Sequence, residues 1–253
     1  MYRPAAPTAF DALAWMPASS AAMSPSVLAA ALATAILFVA SLAPGHAWAQ
    51  PAEWLTSGQR QALEQAVIAH TAGRHAEARR RFEALRKQGV PAAAYNLAVM
   101  HLDRQVPGAN KPAARRLLEE AARGGFVTAQ YMLAQSLEGG LFGAREPALA
   151  YDWYERAAVS GSVDAQLAMG TAHYLGRGRP LSAERAAHWY REAATRGDIG
   201  AMYLLASMYE SGDGVALDLR RARDWYLLAA AGGDVAAPGK VKELDERLAR
   251  VPG

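Results

Sequence analysis

Between residues 93 and 235 one pattern recurs four times at a spacing of 36 residues. Ala93, Ala129, Ala165 and Ala201 open it, and Leu97, Leu133, Met169 and Leu205 follow. Leu117, Trp153, Trp189 and Trp225 come next, then Ala121, Ala157, Ala193 and Ala229, and Gly125, Gly161, Gly197 and Gly233 close it. A period of this length accommodates two helices and two turns, and such a unit can bury its apolar face only against its neighbours. The pattern therefore predicts an all-α chain, a right-handed α/α solenoid of about ten helices over residues 59–235.

Within a unit the residue types explain their positions. In the fourth, Ala201, Leu205, Ala206 and Tyr209 share one face of a first helix. Small Ala201 and Ala206 admit a partner helix, and Leu205 fills the space between. Gly212 and Gly214 follow in the loop, matched by Gly176 and Gly178 in the third unit and by Gly139 and Gly140 in the second. Asp218 stands where a second helix needs its cap, and Gly232-Gly233 ends that helix. The first unit departs most, with Leu117-Leu118 where Trp-Tyr stands elsewhere and Val106-Pro107-Gly108 in its loop.

Residues 59–91 read as a shorter helical hairpin of tetratricopeptide type, with Ala78, Phe82 and Leu85 on its inner face and Gly89 one period before Gly125. Four full units occupy 92–235. The stretch 236–253 reads as a capping helix: Val241, Leu244 and Leu248 fall on one face, and charged side chains fill the other.

Ahead of these lie a leader, 1–49, and a linker, 50–58. Val27 to Leu42 is apolar almost throughout, and Ala47-Trp48-Ala49 presents small side chains at the positions a signal peptidase reads. Cleavage after Ala49 would leave Gln50 first and place the chain in the periplasm or outside the cell. The alternative is a retained anchor over Ser26 to Ala43, short for a span, which would hold the solenoid to the membrane facing the periplasm. The flank ahead of the apolar run is weakly charged, with Arg3 offset by Asp11; a start at Met16 or Met23 would shorten it.

The recurring sentence A-x-x-x-L-[GA]-x-x-[YH], G-x-G, A-x-x-W-[YF]-x-x-A-A-x-x-G resembles the Sel1-like repeat, a relative of the tetratricopeptide repeat, over Ala93 to Gly233. The third unit keeps it at Ala165, Met169, Gly170, His173, Gly176, Gly178, Ala186, Trp189, Tyr190, Ala193, Ala194 and Gly197. The resemblance implies an adaptor that holds partner proteins, often exported, in envelope signalling, exopolysaccharide assembly or host interaction. A cysteine-rich branch is linked to beta-lactam hydrolysis; this chain has no cysteine and matches that branch poorly.

By analogy with tetratricopeptide repeats, first helices line the inner groove, which makes the protein-binding candidates Tyr95, Tyr131 and Tyr203 in one row, Gln135 and Ser207 in a second, and Glu138, Tyr174 and Glu210 in a third. A tyrosine offers a rigid ring and a hydroxyl, which suits peptide recognition. The competing reading packs these rings between adjacent units. The tryptophans read as packing groups of the second helices.

Other chemistries find little support. The six histidines lack the i, i+4 spacing with an added carboxylate that a helical zinc site uses, and neither a nucleophile elbow nor a phosphate loop occurs, so no metal, cofactor or catalytic residue is expected. The 27 basic and 24 acidic residues are mixed, and Arg79-Arg80-Arg81 lies beside Glu77 and Glu83, which argues against a nucleic-acid partner. A wall-related hydrolase or small-ligand-binding protein, with Glu138, His173 and Glu210 converging on a substrate, is the alternative to the adaptor. Stacked helices stand about 10 Å apart, and proton transfer needs contact at about 3 Å.

Overall fold

The computed structural model describes residues 55–250. The leader, the cleavage site at Ala49, the alternative anchor and most of the linker lie outside the described residues. Eleven α-helices and no strands occur among the described residues, joined by short turns into helix-turn-helix repeats of the solenoid class.

These helices fall into two compact units, residues 55–136 with 140–144, and residues 137–139 with 145–250. The first holds α1 (Ser57–Thr71), α2 (His75–Lys87), α3 (Pro91–Leu102), α4 (Lys111–Arg123) and most of α5 (Val127–Gly139), with α1 on α2, α2 on α3 and α3 on α4. The second holds α6 (Pro147–Val159), α7 (Val163–Leu175), α8 (Ala183–Thr195), α9 (Ile199–Ser211), α10 (Leu219–Ala231) and α11 (Ala237–Ala249), each packed on the next.

Start signals are local. Thr56 forms a capping box with Gln59 ahead of α1, and Asn110, Ser162, Ser182, Asp198 and Asp218 each accept a hydrogen bond from the backbone N–H three residues on. Each satisfies a donor that the first helical turn leaves open. Asp218 thus caps α10, as its spacing predicts. At the other end the pattern is equally regular: the N–H groups of Val90, Phe126, Ser162, Asp198 and Asp234 donate to the carbonyls of Leu85, Ala121, Ala157, Ala193 and Ala229. This closure recurs at every 36th residue, and Asp234 extends it to the entry of α11.

Packing follows the alanines. Ala93, Ala129, Ala165 and Ala201 are fully buried, as are Ala78, Ala114, Ala150, Ala186 and Ala222 of the second helices. Side chains this small let helix backbones approach, and Phe82, Leu118, Leu133, Met169, Tyr190, Leu205 and Tyr226 fill what remains. Burying one large side chain of this kind stabilises by roughly 1.5–3 kcal/mol. At α11, Leu244 is fully buried with Ala237, Val241 and Leu248 are half-buried, and Lys242, Asp245 and Glu246 stay in water.

The G-x-G loops serve two different needs. Gly140, Gly176 and Gly212 end their helices in the left-handed conformation, which a side chain disfavours. Gly178 and Gly214 also have positive φ and in addition allow close approach: a Cβ would come within 2.0 Å of the Tyr151 ring at the first and 2.3 Å of the Ala183 backbone at the second. Gly139, paired with Gly140 in the sequence reading, is the last residue of α5.

Candidate protein-binding site

The first helices display the candidates, and burial separates them. Tyr95 on α3 is only 8% exposed and sets its ring edge-on to Phe126, with centroids 5.2 Å apart. Burial, and secondarily the Asp103 charge, push its hydroxyl up to a pKa of about 12. Tyr131 on α5 is half-buried, and its hydroxyl accepts a hydrogen bond of 3.0 Å from the exposed Gln135 one turn on. Within the first unit these two polar side chains form one contiguous patch.

In the second unit Tyr203 and Ser207 are half-buried on α9, and the Tyr203 ring meets Tyr226 edge-on at 4.9 Å. Burial raises the Tyr203 pKa, and Asp234, Glu210 and Glu243 add to the rise against an opposing Lys240. Tyr174 on α7 is half-buried as well; burial, then the charge of Asp213 and a hydrogen bond to it, lift its pKa to about 12.

The row of Glu138 and Glu210 is engaged internally. The Tyr151 and Tyr154 hydroxyls donate to the two oxygens of Glu138 at 3.0 and 2.9 Å. The Tyr226 hydroxyl donates to Glu210 at 3.0 Å, and Lys240 and Arg247 of α11 bond its other oxygen at 3.3 and 2.9 Å. The carboxylate thus ties the first helix of a repeat to the second, 16 residues onward, and at Glu210 to α11 as well. Burial, with the carboxylate next in importance, raises the pKa of Tyr226 and lifts that of Tyr151 to about 12.

Sequence reasoning missed these hydroxyl donors and the two cations of α11. The signal existed: Glu138 with Tyr154 and Glu210 with Tyr226 repeat the same offset, and Ala237 stands one period after Ala201. A second overlooked pair is Gln130 and Gln166, both buried and one period apart. Their amide groups donate to the carbonyls of Ala122 and Ala158 in the preceding repeat, at 3.2 and 3.0 Å.

The residues of the hydrolase alternative do not converge as free groups. His173 is buried with Nδ1 bonded to the Pro180 carbonyl at 3.0 Å, and both glutamates hold the bonds just described. Among the described residues no group of three or more His, Cys, Asp or Glu is placed to hold a metal ion. Among the same residues no helix is long and apolar enough to cross a membrane. Trp153 is buried with the Arg156 guanidinium 4.8 Å from its ring centroid, and Trp189 and Trp225 are half-buried.

This architecture, with its 36-residue register, is that of a repeat protein of the tetratricopeptide-related class. The chain belongs to the Sel1 repeat family, whose pattern matches residues 91–126, 127–162, 163–198 and 199–234. Solved structures are similar, two among them at more than 25% identity and a TM-score above 0.6. A Sel1 repeat protein from Oxalobacter formigenes shares 32% identity and a TM-score of 0.62, over 67% of this chain and 49% of that one. The protective antigen c5321 of uropathogenic Escherichia coli, which displays the same repeat fold, shares 26% identity and a TM-score of 0.65, over 76% of this chain and 44% of that one. The matched region thus spans about half of each of these relatives or less. Among curated proteins the chain has no matching relative.

Proposed function

We propose that this protein is a non-enzymatic adaptor, acting outside the cytoplasm, that holds a segment of a partner protein on the half-exposed faces of its first helices. The observation that carries the reading is the contrast between frame and face. Fully buried alanines repeat unchanged from Ala93 to Ala201, whereas the positions of Gln135 and Ser207 change with each repeat, through Val99, Gln135, Thr171 and Ser207. A constant scaffold with variable side chains lets one fold specify a partner, and stacked repeats supply extended surface for it. Tyr131 with Gln135 in the first unit, and Tyr174, Tyr203 and Ser207 in the second, are the groups offered. Glu138 and Glu210 position the tyrosines behind them. Envelope signalling or exopolysaccharide assembly is the setting the family resemblance implies, and a protective antigen among the structural relatives fits a place outside the cytoplasm.

The test is a pull-down from envelope extract with the parent protein and a folded Tyr131→Ala, Tyr203→Ala variant. Specific partners should be lost from the variant; their full retention would remove these faces from the binding site. Export has its own test: the exported protein should begin at Gln50 on amino-terminal sequencing, and a full-length product in the membrane fraction would establish the anchored form instead.

A further inference from the structure

An open cleft of about 730 Å³ lies in the first unit between the α1–α2 turn, the start of α2 and the loop that follows α3. It is lined by Gly73, Ala76 and Pro107 and by a polar set rich in cations: Arg74, His75, Arg79, Arg80, Gln105 and a single acid, Glu77. Glu77 is already engaged by Arg74 at 3.0 Å and by Arg81 at 2.9 Å, and Arg79 reaches Glu83 at 3.0 Å. Arg80 is exposed and has no ion-pair partner among the described residues. Nδ1 of His75 is buried without a hydrogen-bond partner, and the first turn of α2 has no side-chain cap. Gln105 is held by His70 at 2.7 Å, which fixes the far wall.

The surrounding charge has the same sign. Arg79 and Arg116 both press the nearby His101 toward its neutral form, after burial, which is the larger cause. The first unit carries 12 Arg and Lys against 6 Asp and Glu, whereas the second carries 14 against 16. The register makes the contrast specific: Arg80 and Arg116 stand at the position that Asp152 and Asp224 occupy in the second unit.

We infer that this cleft is a second binding site, which takes an acidic peptide segment of a protein partner through carboxylates placed against Arg79, Arg80 and His75. Guanidinium groups match carboxylates in charge and fork geometry. A nucleic acid fits less well, because Glu77 and Glu83 interrupt the basic surface and the lining offers no exposed aromatic ring for stacking a base. None of Tyr131, Tyr174, Tyr203 or Ser207 lines the cleft, so the site stands apart from the proposed faces of the first helices.

The experiment is fluorescence anisotropy with the whole protein and a short labelled peptide rich in Glu, beside the same peptide with Gln for Glu and a single-stranded oligodeoxynucleotide of equal charge. Saturable binding of the Glu peptide is expected, weakened by salt and reduced about tenfold or more in an Arg79→Gln, Arg80→Gln variant, with a shift of the His75 ring resonances in the parent. Arg220→Gln, an exposed cation of the second unit, should bind as the parent does, and so should the Tyr131→Ala, Tyr203→Ala variant. The first control separates the cleft from diffuse charge, and the second separates it from the adaptor faces. Both arginines are on the surface, so circular dichroism should show the double variant folded. Equal binding of the Gln peptide, an equal loss in Arg220→Gln, an unmoved His75 signal or tighter binding of the oligonucleotide would each overturn the assignment.

Discussion

Leu102 and Leu118 of the first repeat stand at the register positions that Glu138 and Tyr154, and later Glu210 and Tyr226, occupy further along the chain. The first repeat thus fills with hydrocarbon the place where the second and fourth set a hydroxyl against a carboxylate and the third sets Tyr174 and Tyr190. Its loop differs in the same way. Arg104 adopts a φ of 57° where Gly140, Gly176 and Gly212 take the left-handed turn, and the N–H of Asn110 donates to the His101 ring, whereas Glu146, Ser182 and Asp218 donate to backbone carbonyls. Apolar filling tolerates an irregular loop because it is not directional. A hydroxyl–carboxylate bond needs fixed geometry, and the later loops supply it through glycines at set positions.

The largest expected difference between these regions is alkaline. Tyr95 is the one strongly shifted tyrosine of the first repeat, whereas Tyr151, Tyr174, Tyr190 and Tyr226 are all shifted upward in the later ones. An unfolded tyrosine ionises near a pKa of about 10. Below that pH both states hold the proton and stability is complete. Above it the unfolded chain releases protons that the folded one retains, so stability falls as pH rises from about 10 toward about 12. The later repeats should open first, with Trp153, Trp189 and Trp225 shifting their emission to the red before far-ultraviolet helicity is lost. Coincident transitions completed below that window would contradict the account.

Next in size is Gly214→Ala. A Cβ there would lie 2.3 Å from the Ala183 backbone, at a residue whose φ is 69°. A loss of about 3 kcal/mol in urea unfolding is expected from overpacking with backbone strain. Gly108→Ala, in the loop of the first repeat, has the same φ and open space around it, so it should cost about 1 kcal/mol. Equal costs would remove the distinction between close approach and turn geometry.

Arg104→Gly works in the opposite direction. Placing in the first repeat the residue its successors use should raise stability by about 1 kcal/mol, read as a higher urea midpoint with an unchanged slope. A lower midpoint would mean that the arginine side chain contributes more than its backbone conformation costs.

The smallest effect is expected from Gln166→Met. The Oε1 of Gln166 is buried without a partner, and Met202 stands at the same place one repeat on. Gln166→Met should therefore stay within about 1 kcal/mol of the parent, while Gln166→Ala, which leaves a cavity, should cost about 2 kcal/mol. A larger loss in the Met variant would make the bond to Ala158 a necessary tie between repeats.

The helices, their order and their packed faces were legible in the sequence because the 36-residue period repeats the residues that decide packing: small alanines where backbones meet, large apolar groups beside them, and glycines where the chain turns. Those properties are local to each residue type, so spacing alone carries them. Access was not legible. Tyr95 and Tyr131 share a register position, yet Phe126 closes over the first, while Gln135 meets the second at a half-open surface. Glu138 and Glu210 look like groove carboxylates in one dimension, and only the folded chain brings hydroxyls from 16 residues away to claim them, with Lys240 and Arg247 arriving over Glu210 from α11. The cleft beside Arg80 was hidden for the same reason: its walls come from a turn, a helix start and a loop some thirty residues on. Whether a polar side chain is open or engaged depends on what other segments bring within about 3 Å of it, and that distance is set by tertiary structure.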